Sequence, residues 1–323
     1  VNENLPSVTV LIAARPEQTQ IKAVTASKLL AYSPNKPEIL VARGKQPSVQ
    51  RNVALKAAEG DLIYFLDDDS VPAPANLQIA VRHFQDEKVQ MVGGPNLCPP
   101  DAPALEQVFA LVLASWLAFG PSRARYAKVG ELRTTSEKEL ILCNLVARRK
   151  AVLELGGFDE KLYPNEENAL MDELQKRGGK LLYDPQLTVY RRPRSSLSAF
   201  VKMLKTYGRG RAEQFRVNPT PGSALNLVPP LFCVYLVAVV VMLIVSPNYG
   251  RLALIPLLCY ALAVLAQVAV LARSGKLIYA IASLPLIVLT HLLYGYGFWR
   301  GLFTKLSPPQ AKPPMQVVLE KIQ

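Results

Sequence analysis

From Gln214 to Leu319 the chain carries no acidic residue, and nothing else in the sequence restricts its fold so severely. Three long apolar stretches lie in that interval: Leu225–Val245, Leu252–Ala272 and Leu277–Trp299. Each offers the ~20 apolar residues that cross ~30 Å of hydrocarbon as a helix, and a helix satisfies its own backbone in lipid. Pro221, Pro229 and Pro230 mark the entry to the first stretch. Ser246-Pro247-Asn248-Tyr249-Gly250 and Arg273-Ser274-Gly275-Lys276 read as turns. The whole chain of 323 residues is 50% hydrophobic and 19% charged, below the ~25% charge of a soluble protein. Its first two-thirds nevertheless has ordinary soluble composition. Disorder, collagen-like repeats and a disulfide scaffold are excluded, and a soluble domain joined to a membrane domain is expected.

The net charge is +12, and its placement is informative. Arg191, Arg192, Arg194, Lys202, Lys205, Arg209, Arg211 and Arg216 stand against one acid, Glu213, just before the first apolar stretch. A juxtamembrane basic segment is drawn to anionic lipid and marks the cytoplasmic side of a span. A solvated basic face is the bland alternative, and no nucleic-acid motif accompanies the charge. Three crossings would put the C-terminus outside, whereas Arg300, Lys305, Lys312 and Lys321 favour inside; either one segment is re-entrant or the charge rule fails. The tail after Leu306, rich in proline, is expected to be extended or disordered. Val1–Ser7 shows no basic-then-apolar leader. Cys98, Cys143, Cys233 and Cys259 form no CxxC pair and read as buried thiols.

The N-terminal part alternates strand and helix patterns. Val8–Ala13, Glu38–Ala42, Leu62–Leu66 and Val89–Gly93 read as strands, Ser48–Ala58 and Asn76–Gln85 as helices. Such alternation argues for an α/β, Rossmann-like domain with a mostly parallel sheet. Leu197, Phe200, Val201, Leu204 and Tyr207 fall on one helical face opposite Lys202 and Lys205, which suits a helix in the membrane interface. Leu105–Phe119 is too short to span and is either a core helix or a second membrane-facing one. The expected boundaries are a catalytic domain at 1–195, an amphipathic interface segment at 196–220, about three transmembrane helices at 221–301 and a Pro-rich tail at 302–323.

The sharpest chemical signal is Asp67-Asp68-Asp69 directly after the third strand. Like charges this close are costly unless a cation neutralises them, and the carboxyl ends of such strands are where α/β sheets bind ligands. Oxygen ligands here suit Mg²⁺ or Mn²⁺ bridging a diphosphate. A second acidic pair, Glu166-Glu167, opens a helix that runs to Arg177 and stops at Gly178-Gly179, with Asn165 as its N-cap. Alone, that pair is as well explained by the helix dipole. Of the two histidines, His83 and His291, the second reads as a helix-packing donor, and Gly275, Gly295 and Gly297 permit close helix contact.

In order along residues 7–211, these features resemble the family 2 inverting glycosyltransferases of GT-A fold, in particular membrane-attached members that elongate exopolysaccharide repeat units on a lipid carrier. Val8–Glu17 is similar to the first strand and nucleotide-contacting loop, Gln50-Arg51-Asn52 to an Arg-Asn helix start, and Asp67–Asp69 to the Asp-x-Asp motif. Gly93-Gly94-Pro95, the Asn144–Phe158 segment ending in Gly-Gly-Phe, Glu166-Glu167 and Tyr207-Gly208-Arg209-Gly210-Arg211 follow in the family's order. The resemblance implies that Ala13, Ala14, Arg15, Glu17, Arg51, Asp67 and Asp68 contact the nucleotide sugar and that Asp69, with Asp67, ligates Mn²⁺ or Mg²⁺. It implies Glu167, beside Glu166, as general base on an acceptor hydroxyl, and Arg194, or Arg191 or Arg192, on the departing diphosphate. The expected partners are a nucleotide sugar, UDP-linked as first choice, a polyprenyl-linked saccharide acceptor and the lipid bilayer, with no nucleic acid. The expected location is the plasma (inner) membrane, multi-pass, with the catalytic domain cytoplasmic.

Three departures from the family pattern matter. The second strand ends Val41-Ala42-Arg43-Gly44-Lys45, without the acid that reads uracil; Glu167 stands where Asp is usual; and the Gln-x-x-Arg-Trp motif of processive synthases is missing. A continuous polymer-secreting channel is therefore not expected. Transfer to a bare polyprenyl phosphate is the alternative activity, but it needs no general base. A non-catalytic anchor or transporter subunit fits poorly with intact acidic motifs and uncharged spans.

Overall fold

The computed structural model describes residues 5–33, 36–160, 166–217, 221–304 and 316–322. It divides into two compact units, one comprising Val1–Pro99, Pro121–Arg192 and Pro308–Gln323, the other Pro100–Gly120 and Pro193–Ser307.

The first unit opens with β1 (Val8–Ala14), α1 (Lys22–Ser27), β2 (Glu38–Arg43), α2 (Pro47–Ala57) and β3 (Leu62–Asp67). β4 (Val71–Pro72), α3 (Asn76–His83), β5 (Val89–Gly93) and β6 (Asn96–Leu97) follow. The chain crosses α4 (Ala104–Leu113) and α5 (Trp116–Phe119) of the second unit and returns through β7 (Arg133–Thr135), β8 (Leu145–Arg148), α6 (Arg149–Glu154), α7 (Glu166–Lys176), β9 (Lys180–Tyr183) and β10 (Val189–Tyr190). The second unit resumes with α8 (Leu197–Val217), α9 (Val228–Val245), α10 (Pro247–Leu252), α11 (Ile255–Ser274) and α12 (Leu277–Phe303). β11 (Val318–Ile322) closes the described chain in the first unit.

The main sheet has the order β11-β2-β1-β3-β8-β5-β9-β7. β1 is parallel to β2 and β3, and β5 to β9, while β8, β7 and β11 pair antiparallel. The α/β fold is as expected; the sheet is mixed, because the strands that run the other way are too short or too polar to announce themselves by period. Along β1 the residues alternate between faces, as a strand buried on both sides must. Val8, Val10 and Ile12 pack with Leu62, Tyr64 and Leu66, while Leu11 packs with Leu40, Ile63 and Phe65 on the other face. β11 corrects the reading of the tail: residues 318–322 are an edge strand, zipped antiparallel along β2 from Val318 opposite Arg43 to Ile322 opposite Ile39. Proline density before it hid five residues that alternate with the sheet.

Two of the three Gly-Gly pairs are helix stops of one kind. Gly178 has φ of 84°, its N–H donates to Gln175 O and that of Gly179 to Leu174 O, both at 2.9 Å. Gly156 and Gly157, at φ of 83° and 86°, repeat the arrangement on Leu153 O and Val152 O. These are Schellman caps, which favour glycine at the left-handed position.

Among the described residues of the second unit, three helices are long and apolar enough to cross a membrane: Ala224–Val245, Pro247–Arg273 and Leu277–Phe303. The α4–α5 pair would count as a fourth only as a broken span, bent by 61°. The apolar face read for α8 is largely turned onto protein: Phe200 and Leu204 are fully buried, and Phe200 stacks on Phe109 of α4 at 4.3 Å. α8 and α12 approach through glycine. A Cβ on Gly208 would lie 2.1 Å from Tyr294 O, and one on Gly297 2.3 Å from Lys205 O. Gly275 shows no such approach, since its nearest neighbour would be 3.8 Å away. His291 bonds Leu117 O at 2.9 Å and the Tyr260 hydroxyl at 2.8 Å, the packing role expected of it. Of the cysteines only Cys143 is buried; Cys98 and Cys233 are half-buried and Cys259 is exposed, as a thiol on a lipid-facing helix would be.

Candidate active site

The carboxyl ends of β1 and β3 lie side by side, with Ala13 opposite Asp67. The chain leaves β1 for β2 on one side while β3 lies on the other, so the strand order reverses here; open α/β sheets bind ligands at such a point. Ala13 and Ala14 end β1, and the loop beyond carries Arg15 and Glu17 into solvent. Asp67 ends β3; Asp68 and Asp69 follow in a turn closed by the Ser70 N–H on Asp67 O at 3.0 Å.

A small second sheet, β4-β10-β6, brings a cation to this turn. β10 runs antiparallel to β4 with Tyr190 opposite Val71, and the Arg191 N–H donates to Leu97 O at 2.9 Å. The Arg191 guanidinium consequently reaches Asp67 Oδ2 at 2.9 Å and Asp69 Oδ1 at 2.5 Å. Burial pushes the Asp69 carboxyl above its ordinary range; Arg191 pulls it back, and the charges of Asp67 and Asp68 push with burial. Burial opposes the charge on Arg191, but Asp67 and Asp69 outweigh it and hold the guanidinium protonated. Sequence reasoning named Arg191 only beside Arg194. Its place one residue after the two-residue β10 gave no signal in the sequence; Arg194 lies in the second unit.

Arg51 joins the two acidic motifs. From the buried face of α2 its Nη1 meets Glu166 Oε1 at 3.1 Å and its Nη2 makes a longer contact of 3.4 Å with Asp67 Oδ1. Glu166 is only 3% exposed, a burial that a carboxylate tolerates when paired. Glu167, the next residue of α7, is half-exposed. The two glutamates therefore differ in kind: one is buried and locked to Arg51, the other is half-exposed. Asn165 lies outside the described residues.

Asn52 explains a second motif. Its Nδ2 donates to Phe158 O and its Oδ1 accepts from the Phe158 N–H, both at 2.8 Å. A Cβ on Gly157 would lie 2.4 Å from that Oδ1, so the last glycine before Phe158 clears space for the amide. Phe158 stands edge-on to Phe65 of β3 at 5.4 Å, with the Arg51 guanidinium 5.9 Å over its ring. The neighbouring Gln50 donates to Ala14 O at 2.7 Å and Ala42 O at 2.6 Å, tying the ends of β1 and β2. The Gly93-Gly94-Pro95 turn is a close approach: a Cβ on Gly94 would lie 2.0 Å from Leu187 O.

Asp67 and Asp69 suit a hard divalent cation. Among the described residues no group of three or more His, Cys, Asp or Glu surrounds one point, and Mg²⁺ or Mn²⁺ at such sites takes one or two carboxylates and completes its shell from phosphate and water. Arg191 shows that both carboxylates converge on one shared positive charge.

Comparison with known proteins gives the family and the fold. The profile of "Glycosyl transferase family group 2" matches residues 62–271. The chain is 28% identical over 170 residues to the pre-mycofactocin glycosyltransferase of Mycobacterium tuberculosis, covering 52% of this chain and 34% of that protein. It is 27% identical over 201 residues to the succinoglycan biosynthesis protein ExoA of Rhizobium meliloti, covering 61% of this chain and 56% of that one. The chain thus spans between a third and just over half of these relatives' lengths. The mannosyltransferase PcManGT from Pyrobaculum calidifontis, solved with GDP-Man and Mn²⁺, superposes with a TM-score of 0.53 at 16% identity, covering 92% of this chain and 87% of that one, a likeness of fold. With the profile running from β3 through the acidic turn and α7 into α11, the chain belongs to glycosyl transferase family group 2.

Proposed function

We propose that the protein is a membrane-bound inverting glycosyltransferase that moves a sugar from a nucleotide donor, UDP-linked as first choice, to a hydroxyl of a polyprenyl-linked saccharide. The single observation that carries the reading is the Arg51 guanidinium held between Asp67 and Glu166, which sets the donor motif and the acid pair of α7 on one site.

The loop after β1 and the turn after β3 receive the nucleotide diphosphate at the switch point. Asp67 and Asp69 would hold Mn²⁺ or Mg²⁺, which when bound supplies a Lewis acid for the leaving diphosphate. Arg191 adds a fixed positive charge beside those carboxylates, suited to a charge-assisted bond with the departing phosphate. Glu166 keeps Arg51 oriented and fixes the first turn of α7. Glu167 takes the proton of the acceptor hydroxyl as that oxygen attacks the anomeric carbon. One displacement, with the leaving group on the opposite face, inverts the configuration.

The basic run Arg191–Arg216 precedes the first long apolar helix, which supports a cytoplasmic catalytic unit on a plasma membrane. The test is Glu167→Gln. The reading predicts a loss of transfer of roughly 10²-fold or more with donor binding kept. An unimpaired Glu167→Gln enzyme would contradict the base assignment and favour transfer to a polyprenyl phosphate, which needs no base.

A further inference from the structure

The second strand lacks the acid expected at its end, and the structure puts an acid there from another part of the chain. Arg43 closes β2 beside Ala14 of β1. Its Nη1 donates to two carbonyls of the loop after β1, Gln18 O at 2.5 Å and Arg15 O at 3.3 Å. Its Nε donates to Glu320 Oε1 of β11 at 2.6 Å. Glu320 lies opposite Val41, two residues from Arg43 on the same strand face, where side chains of paired strands meet diagonally. The Arg43 side chain is 19% exposed and that of Glu320 38%, so the pair is partly shielded from water. Glu320 fixes the plane of the guanidinium, and the guanidinium in turn fixes the loop.

We propose that β11 is a working part of the donor site: Glu320 is a positioning residue that, through Arg43, holds the Arg15–Gln18 loop in the conformation that receives the nucleotide. This rests on the proposed donor site at the carboxyl ends of β1 and β3. The other charged contact of β11 provides a built-in control. Lys321 pairs with Glu38 at 2.8 Å and Glu59 at 3.2 Å, at the opposite end of β2, so its loss weakens the same strand without touching the loop.

The experiment uses the full chain purified in detergent, with UDP, GDP and dTDP plus Mn²⁺ as probes. Wild type, Glu320→Gln, Arg43→Lys and Lys321→Gln are compared by nucleotide binding and by hydrogen exchange of the backbone at residues 14–20. Arg43→Lys keeps the charge but loses the fork that spans Glu320 and the loop. Expected are a weakening of nucleotide binding by about five-fold or more and faster exchange of the loop in Glu320→Gln and Arg43→Lys, with Lys321→Gln like wild type in both. Should Glu320→Gln fail to fold, Arg43→Lys decides. Equal nucleotide binding in wild type and the folded variants overturns the inference, as does an equal loss in Lys321→Gln, which would make β11 merely structural. A wild-type protein that binds none of the nucleotides overturns the donor site itself and this inference with it.

Discussion

Arg51 and Asn52 are neighbours on one helix and serve different partners. The arginine faces the acids of β3 and α7, the asparagine the Gly-Gly-Phe turn. The sequence displayed both residues, but Glu166 and Phe158 lie 115 and 106 positions away from them, and periodicity says nothing about such pairings. The same limit hid the roles of Gln50, Arg43 and Glu320. His83 and Asp184 are a further distant pair, at 2.8 Å. Burial pushes the Asp184 carboxyl up, but the His83 ring and the Gln186 N–H outweigh it and hold the group below its ordinary range. A lowered carboxylate contributes stability that is full above its unfolded value and is lost as pH falls through its folded one. Asp184→Asn should therefore cost about 1–3 kcal/mol at pH 7. The gap to wild type should close as pH falls below the usual carboxylate range. Thermal unfolding of both proteins from about pH 2.5 to about pH 7 measures it; a gap independent of pH would deny the ionised Asp184 carboxylate.

At the scale of elements, local chemistry foretold most of the catalytic unit. β1, β2, β3 and β5 lie within a residue or two of their expected bounds, since each is a continuous apolar run between turn signals. α7 begins at its acids and ends at its glycines as read. The short strands β4, β6, β7, β8 and β10 were invisible because two to four residues carry no period; their form comes from tertiary pairing. β10 is the costly omission, because it aims Arg191. In the second unit Gly295 and Gly297 of α12 were legible as packing residues, but their partners and the packing role of Gly208 in α8 were not. Gly208→Ala places a methyl 2.1 Å from a backbone oxygen, which forces the two helices apart. We expect destabilisation of about 1–3 kcal/mol, seen as a lower melting temperature in detergent. An unchanged melting point would show that α8 and α12 do not pack as closely as described.

For the whole molecule, β11 bears on a question that charge alone left open. β2 precedes the long apolar helices and β11 follows them, yet they are hydrogen-bonded in one sheet. Both flanks of the apolar helices then belong to one sheet, and we propose that the number of complete crossings between them is even. Among the described residues three helices are long and apolar enough to cross, so on this proposal one of them does not complete a crossing. Of the two alternatives left by charge placement, this proposal favours the re-entrant segment. Cysteines introduced at Glu59 and Val318 in a cysteine-free background should react with a membrane-impermeant maleimide from the same side, the side of the catalytic unit. Labelling from opposite sides would break the β11–β2 pairing as an account of the native protein.

The central claim, sugar transfer at the Asp67–Glu167 site, is tested most directly by nucleotide release from the detergent-purified protein. UDP-, GDP- and dTDP-sugars are offered with Mn²⁺ or Mg²⁺, with and without a bacterial extract of lipid-linked saccharides. The account predicts release that requires one donor, the divalent ion and the glycosylated lipid together, and that Glu167→Gln abolishes. Release sustained by bare polyprenyl phosphate, or undiminished in Glu167→Gln, would contradict it.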